Sequence, residues 1–472
     1  MSYMKLKHAG WGKIVALLLA VFPTVFISCG GGATVAGGGV GGTGMYAGVV
    51  SGFGSVFVNG IEFETVGTQI TVDKGNATET DLKVGMKVAV TATGNSASTI
   101  VFTPEAKGAV TSINTVNNSL VVLGQKVTID GNTIFEGVAG ITSLAVRDNV
   151  IVSGFVSSSG SILATYIEKL ASAPQSLEVK GVVSNHNSTN RIFTIGTLMV
   201  DYSSVQSPPN IVNGAFVEVE GSLSSSTLFA NEIELKEYNA ADGQSMEIED
   251  VITEVTSQTD FMVDGQRVQT NSGTLFEYGT VNDIALNIRV EVEGTVNADG
   301  SLVADKIEFR GLQTGDVSLE GNIEAVNAGN STVALFGLTV HVDSNTIFKD
   351  ESLQGLRSFN FTDLHAGDFI EIGGFISSSG DIIAVKLKRS DDPGFGNDEI
   401  EGPVDSENPD ASLVILGINV DVTGAAFTDA NDNNVNASAF FNIIRTGDTV
   451  EAKGNFDGVD FIAASAEIEE EN

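Results

Sequence analysis

The chain has little of what most catalytic and metal centres are built from. Its 472 residues include one cysteine, four histidines, one tryptophan and eight prolines. One cysteine excludes an internal disulfide and a thiolate metal cage, and four scattered histidines leave little material for a zinc site. Basic residues are also scarce: 24 Lys and Arg stand against 60 Asp and Glu, a formal charge of −36. Phosphate backbones and anionic bilayer surfaces are bound by clustered Lys and Arg, so this balance argues against nucleic acid as a partner. There is no G-x-S-x-G elbow and no H-E-x-x-H, and His186, His341 and His365 each lie alone, in SNHNST, LTVHVDS and DLHAGD. No catalytic residue, resident metal or cofactor is therefore assigned, and an enzyme is not expected. With 42% hydrophobic and 18% charged residues the chain is globular, and its length calls for several domains.

The one cysteine has a telling position. Residues 1–13 carry Lys5, Lys7 and Lys13 and no acid, and residues 14–27 read IVALLLAVFPTVFI without a charge. A basic stretch followed by an apolar one shorter than the ~20 residues of a spanning helix is the pattern of an export signal. It ends at Phe26-Ile27-Ser28-Cys29, which resembles the bacterial lipobox, although Phe26 stands where leucine is usual. The expectation is a lipoprotein signal peptide over 1–28 and lipidation at Cys29, with acyl chains that each add about 0.8 kcal/mol of membrane affinity per buried CH₂. Removing 1–28 takes away three lysines and no acid, leaving the exported body still more acidic. Gly30 is not the aspartate that retains many lipoproteins at the inner membrane, so known sorting rules point to the outer membrane of a Gram-negative cell, facing the periplasm or the surface. Residues 30–44, GGGATVAGGGVGGTG, hold nine glycines and read as a flexible tether of roughly 20 Å.

Beyond the tether the sequence repeats. A glycine between two alternating apolar runs recurs as FVNGIEFE at Gly60, VVLGQKVTI at Gly124, FTIGTLMV at Gly196, MVDGQRV at Gly265, ALFGLTVHV at Gly337 and VILGINVDV at Gly417. An upstream start accompanies each at Gly48, Gly108, Gly181, Asp250, Gly321 and Gly402, where only the fourth copy lacks glycine. A third run ends at Gly94, Gly154, Gly221, Gly294, Gly374 and Gly454, and a fourth follows after a polar turn. Apolar residues alternate with polar ones throughout, as Ile288, Val290 and Val292 do with Arg289, Glu291 and Glu293, which is the period of half-buried antiparallel strands. The expected fold class is all-β. Six tandem small barrels, OB-like, close most economically, since closure hides strand edges, and small β-sandwiches are the alternative. The units are placed at 45–103, 106–170, 176–237, 245–310, 316–389 and 398–469. Phe135, Phe276, Phe348 and Phe427 are assigned to core packing, and acidic pairs such as Glu218/Glu220 and Glu291/Glu293 to a solvated face.

The order of these elements, with the leader, resembles bacterial lipoproteins made of tandem domains of unknown function 5666. The resemblance implies the fold and no activity. It fits a non-enzymatic, lipid-anchored envelope protein, an acidic scaffold or stalk whose partners are the membrane and a protein or glycan. A calcium- or carbohydrate-binding adhesion module is the alternative, because Asp429, Asn431 and Asn433 offer oxygen ligands at a calcium-loop spacing, although Asn434 and Phe440 stand where an EF-hand needs glycine and an acid. An envelope hydrolase ranks third.

Overall fold

The computed structural model describes residues 43–469 except 237, 239, 311–315, 378, 410 and 432. Cys29 and nearly all of the expected tether lie outside these residues. The tether expectation is two residues too long, because the first strand, Thr43–Phe53, already pairs Thr43 with Thr93 and Gly44 with Ala92. Among the described residues no helix is long and apolar enough to cross a membrane.

The strands fall into six groups, at 43–102, 106–169, 177–235, 245–309, 316–390 and 398–468. The third group shows the plan most simply. Its first strand, Leu177–Asn187, pairs with Ile192–Ile195, which pairs with Leu198–Asp201. That strand runs parallel to the last one, Thr227–Leu235, which pairs with Phe216–Ser224, and Phe216–Ser224 returns to the first strand. The ring is closed in the order 1-2-3-5-4-1 and leaves no sheet edge along most of its length. Every other group repeats this ring, although in the first the parallel contact of the third strand is a single bridge from Glu64 to Ser96, and in the fifth the first strand is broken into Asp316–Asn322, which pairs with strand four, and Ala325–Asn327, which pairs with strand two. The fold is therefore a series of small closed five-stranded barrels, and the sandwich alternative does not apply.

Local sequence explains each barrel. Inward residues such as Val290 and Val292 are fully buried. The hairpin glycine supplies the positive φ that a two-residue turn requires, and in five of the six copies the residue before it also has positive φ: Asn59, Leu123, Asp264, Phe336 and Leu416. A short one-turn helix, or in the last barrel Ala437–Ile443, precedes the fourth strand in five barrels and is followed by a buried aliphatic residue, Leu82, Leu144, Ile284, Leu364 or Ile444. Of the phenylalanines assigned to the core, Phe427 is buried with its ring 4.8 Å from that of Phe440. Phe135, Phe276 and Phe348 are partly buried and pack against the cores, the first two from the three-residue strands Ile134–Glu136 and Leu275–Glu277 and Phe348 from the long strand Leu338–Asp350.

The glycine of the fourth strand marks a bulge, at Gly154, Gly221, Gly294, Gly374 and Gly454. In the first barrel the bulge falls on Ala92, two residues before the Gly94 that the repeat pattern suggests. A Cβ at Gly294 would lie 2.0 Å from the carbonyl oxygen of Val303, so the fifth strand itself would have to move. Gly294→Ala is expected to lower stability by about 2 kcal/mol, read from the urea midpoint, and a loss below about 0.5 kcal/mol would show that the bulge yields freely.

Barrels join through their first strands. The N-terminal half of that strand pairs with strand four and the C-terminal half with strand two, which leaves one edge of the N-terminal half open. In the second and third barrels these open edges pair with each other, Glu178 opposite Lys107. In the fifth and sixth, Glu320 lies opposite Glu399. The first barrel pairs with the fourth, in parallel, Met45 opposite Met246. Contacts therefore skip along the sequence, and side chains of the second, fourth and fifth barrels, including Tyr166, Val251 and Ile347, belong to the core cluster of the first.

Candidate functional site

Because the barrels bury their outer faces against each other, the polar half of the strand alternation is not uniformly solvated. Glu218 and Glu291, expected on a solvent-facing row, are 1% and 4% exposed. Their charges meet cations from neighbouring elements. Lys74 of the first barrel reaches four glutamates of the third, with Nζ 2.5 Å from Glu220, 3.1 Å from Glu232, 3.5 Å from Glu218 and 3.8 Å from Glu234. Arg310 binds Glu308 at 2.8 Å, Glu291 at 3.3 Å and Asp343 of the fifth barrel at 3.4 Å. Arg289 of the fourth barrel pairs with Glu249 at 2.5 Å and covers the ring of Phe155 from the second. Burial and Glu218 push Glu178 up to about 7, against the pull of Lys107 and Lys180. Burial also pushes Glu291 up to about 8 despite Arg310.

One junction departs from the repeat rule. In five barrels the first strand carries glycine beneath the side chain at the hairpin turn: Gly48 under Asn59, Gly108 under Leu123, Gly181 under Ile195, Gly321 under Phe336 and Gly402 under Leu416. A Cβ there would come within 1.6 to 3.1 Å of that side chain. The fourth barrel has Asp250 at this position and the short Asp264 at the turn. Both carboxylates reach out of the barrel to one cation, Lys87 of the first barrel. Its Nζ donates to Asp250 Oδ2, lies 3.1 Å from Asp264 Oδ2 and 3.6 Å from Glu105 Oε1, and the side chain is 7% exposed.

The joints between barrels complete the cluster. Glu105, from the short joint after the first barrel, is 1% exposed. Its Oε1 accepts from Lys180 Nζ of the third barrel at 3.3 Å, and Lys180 also donates to the carbonyl oxygen of Thr103 at 2.8 Å. Tyr238, from the joint after the third barrel, donates its hydroxyl to Asp264 Oδ2 at 2.5 Å. Glu105 Oε2 is buried with no hydrogen-bond partner among the described residues. These groups border a cavity of about 250 Å³ whose other walls include Met45, Ala47, Val101 and Phe216. Burial pushes Asp250 up to about 8, against the Lys87 ammonium and with the repulsion of Asp264. Burial alone would lower Lys87, but Asp250, Asp264 and Glu105 together hold it well above the ordinary lysine range. Burial and the charge of Asp264 likewise raise the Tyr238 phenol. No sequence motif announced this site. Its one signal was Asp250 where every other copy has glycine.

Other residues singled out from the sequence are scattered. Asp429 accepts the amides of Asn431 and Asn433 on Oδ1, each at 3.0 Å, which is a side-chain-capped turn, and Phe440 is buried in the helix that follows. His186 pairs with the Tyr202 hydroxyl at 2.7 Å, His341 lies 3.9 Å from Asp381, and the His365 ring contacts the carbonyl oxygen of Asp363. The joint before the last barrel is tied down: Asp391 accepts from the Leu353 amide, Asp398 from the Phe456 amide, and Glu399 pairs with Lys453. Glu399, Glu401 and Glu451 bring carboxylate oxygens within 4.8 Å of one another, with Lys453 bridging Glu399 and Glu451.

Closed five-stranded barrels in the order 1-2-3-5-4-1, repeated along one chain and joined through buried ion pairs, define a tandem OB-like repeat protein. The chain belongs to the family described as domain of unknown function (DUF5666), whose model matches residues 107–168, 170–234, 251–308, 320–388 and 401–467. The matches cover the second to sixth barrels, and the match over the fourth barrel begins immediately after Asp250. No curated protein matches the sequence.

Proposed function

We propose that this is a non-enzymatic lipoprotein of the bacterial cell envelope, held by acyl chains on Cys29 in the outer membrane of a Gram-negative cell, that acts as an acidic scaffold for protein or glycan contacts. The observation that carries the reading is the place of the only cysteine, directly after an apolar leader and before a glycine-rich tether. The barrel seams support the scaffold role. Ion pairs and shared strands link barrels that are distant in sequence, as a support rather than a loose string of modules requires. Partners act on what remains outside, a surface whose excess of acid disfavours nucleic acid.

Cys29→Ser tests the anchor in the native host. Metabolic labelling with an alkyne fatty acid is expected to mark the wild-type chain and not the variant, and the variant is expected to move from the membrane pellet to the soluble fraction. Unchanged retention of the variant in the pellet would overturn the anchor.

A further inference from the structure

One barrel lacks a strand that the others have. In five barrels a further stretch runs parallel to the C-terminal half of strand five: Gln69–Val72, Ile134–Glu136, Leu275–Glu277, the end of Leu338–Asp350 from Ile347 on, and Ala426–Thr428. In the third barrel strand five, Thr227–Leu235, pairs with strand three only as far as Phe229. Along Asn231–Leu235 it has strand four on one side and no strand on the other. Among the described residues the backbone of 231–235 has no hydrogen-bond partner outside strand four. The sequence supplies the reason. The step from Val127 to Ile134 leads from the parallel pairing of strand three to the added stretch, and it recurs from Val268 to Leu275 and from Val340 to Ile347. The same step from Val200 ends at Ser207-Pro208-Pro209. Proline has no N–H to give to a ladder, so this segment cannot close the edge. A row of unpaired N–H and C=O groups is a template for another strand. Its side chains select the kind. Glu232 and Glu234 stand on the outer face, 54% and 48% exposed, above the buried Ile233. The only cation paired with either among the described residues is Lys74, which also serves Glu218 and Glu220. A second copy of this edge would set glutamate beside glutamate, which is destabilising. Charges that bar such self-pairing favour a strand of opposite sign.

We propose that the open edge of the third barrel receives an extended basic segment of a partner protein as an added strand. Its main chain hydrogen-bonds to Asn231–Leu235, and Lys or Arg at alternate positions lie beside Glu232 and Glu234. The proposal rests on the scaffold role and gives its protein contacts a place. It does not depend on the anchor, and its failure would leave the Cys29 test and other protein or glycan contacts standing.

Fluorescence anisotropy of the full chain in 0.15 M salt tests it with a labelled heptapeptide alternating Lys and Val, the same peptide methylated on every backbone nitrogen, and its counterpart alternating Glu and Val. The Lys-Val peptide is expected to saturate one site per chain and to bind at least ten-fold more tightly than either of the others. The methylated peptide keeps the charge and cannot join a ladder. Replacing Ser207-Pro208-Pro209 by the Ile-Phe-Glu of the second barrel (Ser207→Ile, Pro208→Phe, Pro209→Glu) restores the missing strand and is expected to abolish binding. Equal affinity for the methylated peptide would mean attraction by the acidic surface alone and would overturn the proposal. So would binding unchanged in the folded triple variant, or no saturable binding to the wild type. Should the triple variant not fold, the methylated peptide and the double variant Glu232→Lys, Glu234→Lys decide: the double variant is expected to bind the Lys-Val peptide at least ten-fold more weakly, and unchanged affinity would place the peptide elsewhere.

Discussion

Lys87→Met is expected to destabilise the folded chain by about 3–5 kcal/mol, the usual consequence of removing one partner from a buried ion cluster. Lys87 is the cation nearest to Asp250 and Asp264, and both carboxylates are almost wholly enclosed. Without it they must be buried uncompensated or take up protons. The repeat itself indicates how to remove the penalty. The second barrel has Gly108 and Leu123 where the fourth has Asp250 and Asp264, an apolar solution to the same packing problem. Buried ion clusters replaced by well-packed apolar residues are often neutral or more stable. The triple variant Lys87→Met, Asp250→Gly, Asp264→Leu is therefore expected to recover most of the loss. Urea unfolding at pH 7 checks both, and a single-variant loss below about 1 kcal/mol would show that the cluster does not hold the first and fourth barrels together.

The contrast between these positions explains what could be read in advance. Strand alternation reports which residues face into a barrel, and the glycines at turns and beneath turns report where the backbone must bend or be covered. Those signals sit within one repeat, so the closed barrel was legible. Which outer faces meet depends on contacts between residues far apart in sequence, such as Lys74 with Glu232 or Arg310 with Asp343. A period of two assigns Glu218 and Glu291 to the outside of the barrel correctly, and it cannot tell whether the outside is water or another barrel. The joints are opaque for the same reason: a short polar linker does not reveal that Glu105 is enclosed, with Lys87 of the first barrel and Lys180 of the third beside it. Asp250 was visible as an exception to the repeat, and its meaning required Lys87, 163 residues away.

The same enclosed acids predict an unusual dependence of stability on pH. Asp250 and Glu291 are raised to about 8, and Glu178 and Glu399 to about 7, in each case chiefly by burial. In the unfolded chain these groups titrate near their ordinary values of 3.8 and 4.5. Between those limits the folded state binds more protons than the unfolded state, so this contribution is fully present below about pH 4 and is lost as the pH rises toward 8. Each group can change stability by at most about 1.4 kcal/mol per pH unit. Other carboxylates act in the opposite sense. Lys180 and Lys236 overcome burial to lower Glu218, Arg289 and Arg310 do so for Glu249, and Lys386 and Lys388 for Glu371. Their contribution is present above the ordinary 4.5 and is lost as the pH falls below it, through their lowered folded values. Stability is thus expected to peak near pH 5 and to decline by several kcal/mol toward pH 8.5, where many proteins are still near their maximum. Urea midpoints across this range measure it. Asp250→Asn and Glu291→Gln, which cannot ionise, are expected to flatten the alkaline limb, and a midpoint that rises from pH 5 to pH 8.5 would mean that the neighbouring lysines and arginines neutralise these acids fully, so that the barrels are held by complete ion pairs rather than by shared protons.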